Sequence, residues 1–353
     1  MATIFFIILF LISSLVSSSS KAITRSESEI KLLYEGWLVT HQKYYNNLME
    51  KEKRYDIFKD NLRYIDERNA GDHSFRLGLN VFADLTNEEY RATYCGGLLV
   101  DKMDLKGDHG DDHHGQKHWL NETEDDVPDS IDWRELGAVV PIKHQGACFS
   151  CWAFSSVAAV EGLNQIKTGK LISLSEQEIV DCFKKDCDAG YIQDSLNFIV
   201  ENGGLDTEED YPYKAKYVSC DKFKNNKKIV SIDGYERVYP PNDEVGLKKI
   251  VAKQPVAAGI EGYGKDFQLY ESGIFNGNCG TSIDHAVAIV GYGVENKTDY
   301  WILKNSFGVK WGENGFMRIK RNVYAFWGRC GVAMQTYYPT MKEDKNKGKI
   351  QME

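Results

Sequence analysis

Residues 145–154 read Gln-Gly-Ala-Cys-Phe-Ser-Cys-Trp-Ala-Phe. The second cysteine begins a helix-favouring run, Cys151 to Lys167, closed by Gly169. Cys151 would therefore sit at a helix N-terminus. Exposed backbone N–H groups and the helix dipole there favour thiolate over thiol. A nearby imidazolium would lower the thiol pKa further and create a nucleophilic ion pair.

Candidate imidazoles are few. Of eight histidines, His109, His113, His114 and His118 fall in one acidic stretch, and only His144 and His285 lie beyond residue 127. Either could serve acid–base chemistry near neutral pH. His285 opens the apolar run DHAVAIVGYG, which suggests the start of a strand with the ring free to face a cleft. A lone histidine is more often structural, so this alone does not assign a role.

The chain has 353 residues, 42% of them hydrophobic, enough for one or two packed domains and a smaller segment. Ile4 to Ile12 is unbroken apolar sequence, followed by a serine-rich stretch through Ser20. It is too short to span a bilayer and reads as a secretory signal peptide over 1–22, though without the usual basic start. No later apolar run approaches the ~20 residues of a membrane helix. Net charge is −9, and residues 101–126 alone carry nine acids against three lysines. No basic face or polybasic run points to nucleic acid or a membrane surface.

Secretion puts the eight cysteines in an oxidising compartment where disulfides are the default. Seven lie after residue 127, an odd number, so one of them is expected to stay free.

Three regions lie beyond the signal. Residues 23–100 are charged and helical: Ile30, Leu33, Trp37 and Tyr55, Phe58, Leu62, Ile65 recur at helical spacing. Phe75, Leu77, Leu79 and Val81 alternate as in a strand. Residues 101–126, with DHGDDHHG and NETEDD, read as a solvated linker, removed on maturation. From 127 to 340, helices come first and strands later. Ser175 with Glu178 is a capping-box signal, and Tyr191–Val200 suggests a further helix. Strand-like runs come next at Lys228–Val238, Pro255–Ile260, His285–Tyr292, Tyr300–Lys304 and Phe316–Ile319. That order predicts an α+β fold with two lobes. Residues 341–353 form a charged tail.

Gln145–Phe154 resembles the nucleophile motif of papain-like cysteine proteases, IDHAVAIVGYG their histidine segment and LKNSFGVKWGENG their asparagine segment. Glu50, Arg54, Phe58, Asn61, Ile65 and Asn69, with Gly78, Asn80, Phe82 and Asp84, match the two patterns of that family's propeptides. The resemblance runs from about residue 29 to 340. It implies a helical left lobe, an antiparallel β-barrel-like right lobe and a helical, inhibitory propeptide. It implies catalysis by Cys151 as nucleophile, His285 as acid–base and Asn305 as its orienting partner, with Gln145 and the Cys151 N–H stabilising the oxyanion. Trp311 would shield the Asn–His pair, and Gly190 would pair with substrate backbone. Tyr191, Ile192, Gly259, Ile283, Ala286 and Gln335 would form an uncharged pocket for an apolar or aromatic P2 side chain. The implied disulfides are Cys148–Cys187, Cys182–Cys220 and Cys279–Cys330, leaving Cys151 free. No cofactor or metal is implied. Peptide and protein substrates, the chain's own propeptide and cystatin-like inhibitors are the expected partners of a monomer in a vacuole, a lysosome-like compartment or outside the cell. The mature part would begin near Val127, and Asn121 and Asn296 head glycosylation sequons.

Three residues depart from the family pattern. Phe149 and Ala189 stand where glycines are usual and Phe307 where tryptophan is usual. The first two predict a narrowed substrate groove. Cys95 has no evident partner. Rival readings are a C-x-x-C oxidoreductase using Cys148 and Cys151, a zinc site formed by Cys148, Cys151, Cys182 and Cys187, and a catalytically weak relative serving storage or binding. The first leaves the histidine and asparagine segments unexplained, and secretion argues against the second.

Overall fold

The computed structural model describes residues 25–100, 127–224 and 227–342. The expected signal peptide, acidic linker, Asn121 sequon and nearly all of the tail lie outside them.

The N-terminal segment starts with helix α1 (Glu27–His41), entered through a capping box between Ser26 and Glu29. Helix α2 (Leu48–Asn69) is capped by the Asn47 side chain, which accepts from Glu50 N. Their apolar stripes meet: Tyr34, Trp37 and Leu38 pack on Phe58 and Leu62. The patterned polar residues of α2 anchor the chain around residues 83–89. Asn61 Nδ2 donates to the carbonyls of Ala83 and Leu85, and Arg54 bridges Glu50 and Glu89. Strand β1 is shorter than the alternation suggests, Phe75–Leu77. It ends because Asn80 turns inward, its Nδ2 donating to the carbonyls of Gln268 and Tyr270 and its Oδ1 accepting from Phe82 N. Helix α3 (Asn87–Tyr94) then leads to Cys95.

After the short strand β2 (Ile131–Asp132), helix α4 (Cys151–Thr168) forms the spine of one lobe, ending where Gly169 takes φ 75°. The Ser175 cap is present, but its helical turn, Glu176–Glu178, passes into a π turn over Ile179–Lys184. Helix α5 (Ile192–Glu201) packs beside α4. Strand β3 keeps only Gly234–Arg237 of its longer expected run. Upstream, Lys228 takes φ 49° and its N–H is drawn to Asp206 Oδ1. Helix α6 (Glu244–Val251) precedes strands β4 (Val256–Ile260) and β5 (Tyr270–Phe275). Strands β6 (His285–Glu295), β7 (Thr298–Lys304), β8 (Phe316–Lys320) and β9 (Thr336–Thr340) complete the second lobe.

The barrel expectation is corrected here. Among the described residues the strands form one sheet in the order β1-β5-β8-β7-β6-β4-β9-β3, with β2 beside β6, and its ends do not meet. One end is extended by the N-terminal segment: β1 adds antiparallel to β5, Phe75 opposite Gly273. The β5–β8 pair is parallel, so the sheet is not wholly antiparallel either. The same segment is clamped to the second lobe by charge. Arg68 Nη2 lies 2.6 Å from Asp266 Oδ2, and Tyr64 Oη donates to Asp266 Oδ1 at 2.7 Å.

Candidate active site

Helix α4, strand β6 and the end of β7 deliver the three expected catalytic side chains. Cys151 is the first residue of α4 and is fully buried. His285 is the first residue of β6, paired in register with Ile260. Asn305 comes directly after β7; its Oδ1 accepts from His285 Nε2 at 2.8 Å and from Ser306 N at 2.8 Å. The imidazole is thereby fixed with its proton on Nε2. Among the described residues His285 Nδ1 has no hydrogen-bond partner.

Aromatic rings close over this pair in a different order from the expected one. Phe307 stacks on the imidazole at 4.7 Å between centroids and 24° between planes. Trp311 lies one ring further out, edge-on to Phe307 at 5.7 Å and against Phe267. The ring two residues after Asn305 thus shields the pair, and Trp311 backs it.

Gln145 is fully buried and doubly held. Its Oε1 accepts from Ser306 Oγ at 2.5 Å, and its Nε2 donates to Cys148 O at 3.2 Å. Tyr213 Oη donates to Gln145 O at 2.8 Å and lies 2.7 Å from Ser150 Oγ. Sequence reasoning assigns no role to Ser306 or Tyr213, and Tyr213 lies in no motif that could flag it. The cysteines pair Cys148–Cys187, Cys182–Cys220 and Cys279–Cys330, leaving Cys95 and Cys151 as buried thiols.

The N-terminal segment runs through the cleft. Gly96 N donates to Asp284 O, Leu99 N to Gly190 O, and Gly190 N to Gly97 O. Leu98 makes a parallel bridge with Gly190. A Cβ on Gly97 would stand 2.9 Å from Cys151 Sγ and 2.9 Å from Phe149 O, so only glycine can cross the sulfur this closely. Leu98 enters the expected apolar pocket: a Cβ on Gly259 would lie 2.9 Å from its Cδ2, 2.7 Å from Ile283 Cγ2 and 3.1 Å from Gln335 Oε1. Ile192 and Ala286 belong to the same buried cluster, and Tyr191 caps α5 beside it.

This covering reverses the electrostatics that the helix N-terminus alone suggests. Burial pushes the Cys151 thiol up to about 12, against backbone N–H groups that favour the thiolate. Burial also pulls His285 down to about 4, only partly offset by Asn305. Burial under the propeptide thus disfavours the charged form of both groups.

Comparison with known proteins agrees with this geometry. The profile described as "Papain family cysteine protease" matches residues 127–340, and "Cathepsin propeptide inhibitor domain" matches residues 34–90. The chain belongs to the papain family of cysteine proteases. It is 48% identical to "Probable cysteine protease RD21C" of Arabidopsis thaliana over 99% of its own length and 76% of that protein's. The proform of the ragweed pollen allergen Amb a 11, a cysteine protease, superposes with TM-score 0.82 at 39% identity, covering 90% of this chain and 96% of that one. A Carica candamarcensis cysteine protease in complex with E-64 superposes with TM-score 0.58 at 47% identity, covering 61% of this chain and all of that one. The chain is therefore a cysteine protease zymogen with a papain-like fold.

Proposed function

We propose that the enzyme is an endopeptidase that works through a Cys151–His285 ion pair and is delivered by the secretory pathway to a vacuole or the cell exterior. The observation that carries the reading is Gly97 lying across the Cys151 sulfur while His285 is already hydrogen-bonded to Asn305. The oriented imidazole keeps Nδ1 free for the sulfur. Removing the propeptide, at a cut near Val127, rehydrates both groups. The thiol proton passes to His285, and the helix N-terminus then favours the thiolate.

The thiolate attacks the scissile carbonyl. Gln145 Nε2, fixed through Ser306, and the Cys151 N–H stabilise the oxyanion, at roughly 3 kcal/mol per donor. The imidazolium protonates the leaving amine, and the neutral ring next activates water to hydrolyse the thioester. Asn305 holds the ring through both proton transfers. Leu98 mimics the side chain favoured in the pocket of Ile192, Gly259, Ile283, Ala286 and Gln335, so an aliphatic or aromatic P2 residue is expected.

Acidifying the purified zymogen should release about the first 125 residues and yield activity on a fluorogenic dipeptide with Leu or Phe at P2. A thiol-directed epoxide should abolish that activity while adding its mass to Cys151. Processing without turnover would reject the reading in favour of an inert relative. Phe149, half-buried between Cys148 and Ser150, is expected to narrow the groove. Phe149→Gly should broaden cleavage across a peptide library, and an unchanged profile would remove Phe149 from specificity.

A further inference from the structure

Behind the catalytic residues, between the lobes, lies a small cavity of about 10 Å³, lined by Ser155, Ala158, Glu176, Lys304 and Asn305 among others. Its size suits one water molecule. Three of its walls are polar with unspent capacity. Asn305 Oδ1 accepts from His285 and Ser306, but its Nδ2 is buried and has no partner among the described residues. Lys304 Nζ is 3.7 Å from Glu161 Oε2, too far for a good hydrogen bond. The Glu176 oxygens each accept from Lys143 Nζ, at 2.8 and 2.9 Å, and each keeps a further lone pair.

A water here finds two donors and an acceptor, within the usual range for buried water. Its absence would leave the buried Asn305 N–H groups unsatisfied, a costly arrangement. Resting on the reading of Asn305 as the group that orients His285, we infer that one internal water, held by Asn305, Lys304 and Glu176, positions the Asn305 carboxamide. The water accepts from Asn305 Nδ2 and Lys304 Nζ and donates to the Glu176 carboxylate. It opposes rotation of the amide that would replace Oδ1 by Nδ2 in front of His285 Nε2. Glu176 and Lys304 are then positioning residues, acting through Asn305 and never touching substrate.

The test uses the full-length zymogen and the enzyme activated from it, with active sites counted by the epoxide. Ala158→Val fills the cavity without changing charge, and Ser155→Ala leaves it open. Diffraction from the zymogen should show a water within hydrogen-bond distance of Asn305 Nδ2 in the parent and in Ser155→Ala, and none in Ala158→Val. Ala158→Val should lower kcat ~5-fold with KM unchanged, the scale of one net hydrogen bond, while Ser155→Ala keeps both. A dry cavity in the parent overturns the proposal, as does full kcat in Ala158→Val with the water gone. Should Ala158→Val not fold, the parent zymogen still decides: its Asn305 side-chain amide protons must show NMR contact with a long-lived water, and their failure to do so overturns it. An inactive parent enzyme would instead reject the function proposed above, leaving the zymogen measurements valid.

Discussion

At pH 7, Cys151 in the intact zymogen should react with iodoacetamide at least ~10³-fold more slowly than in the activated enzyme: each unit of thiol pKa is tenfold in thiolate, only the thiolate reacts, and the ion pair of the activated enzyme lowers its thiol below the ordinary value. Burial moves the thiol from 9.0 to about 12 while the propeptide covers it. Gly97 adds a steric block directly over the sulfur. The zymogen's rate should keep climbing above pH 9, whereas that of the activated enzyme should level off once its ion pair has formed. Acid should not release the thiol before the propeptide is cut. His285 is held at about 4 instead of 6.5, so between those values the closed form binds fewer protons than a hydrated imidazole, and falling pH favours opening. Asp284, beside it, acts the other way. Burial raises its carboxyl from 3.8 to about 7, so in that window the closed form binds more protons and falling pH favours closure. The two neighbours largely offset each other, and the gain in reactivity must come after cleavage. Alkylation of Cys151, quantified by peptide mass spectrometry at pH 5, 7 and 9 before and after processing, checks this. Equal rates before and after would show that the propeptide does not govern the nucleophile.

Local signals in the sequence are legible where one element carries them. Gly169 ends α4 because a left-handed residue is needed there, and Ser175 caps the next turn. The continuous apolar run from His285 forms β6, buried on both faces over most of its length. The features hidden from sequence reading depend on residues far apart in the chain. The sheet takes its edge strand β1 from about 200 residues upstream of β5: Ile274 N donates to Ser74 O. No local pattern encodes that pairing. Ser306 reaches Gln145 across 161 residues, and a serine after an asparagine looks like any other. Phe307 reads as a conservative aromatic change, yet its ring, not that of Trp311, lies on His285. The family resemblance pointed to Cys151, His285 and Asn305, and the fold joins the last two by a hydrogen bond. It could not reveal that burial would disfavour the charged form of both Cys151 and His285, because desolvation is a property of the assembled cleft.

Lys143→Met should destabilise the zymogen by about 3–5 kcal/mol, the usual cost of removing one partner from a buried ion pair. Lys143 Nζ donates to Glu161 Oε1 at 3.0 Å, to Glu176 Oε1 at 2.8 Å and to Leu174 O at 2.7 Å. Both glutamates are almost wholly buried, with side chains 1% and 2% exposed, so bulk water cannot replace the ammonium. Burial lowers the lysine's affinity for its proton, but the two carboxylates outweigh it and keep the ammonium charged. Lys304 cannot take over, being 3.7 Å from Glu161 and itself pulled down by burial. The loss should depend on pH with a definite sign. Burial already raises Glu176 from 4.5 to about 7, and without Lys143 it must rise further. Above its unfolded pKa the folded variant then binds more protons than the unfolded chain, so its stability falls as pH rises. Urea unfolding should show a smaller deficit at pH 5 than at pH 8. Lys143→Met/Glu176→Gln should recover part of the loss at pH 8 by deleting the stranded charge. A deficit independent of pH, or no recovery in the double variant, would mean that Lys143 stabilises the lobe junction by packing its stem rather than by neutralising the glutamates.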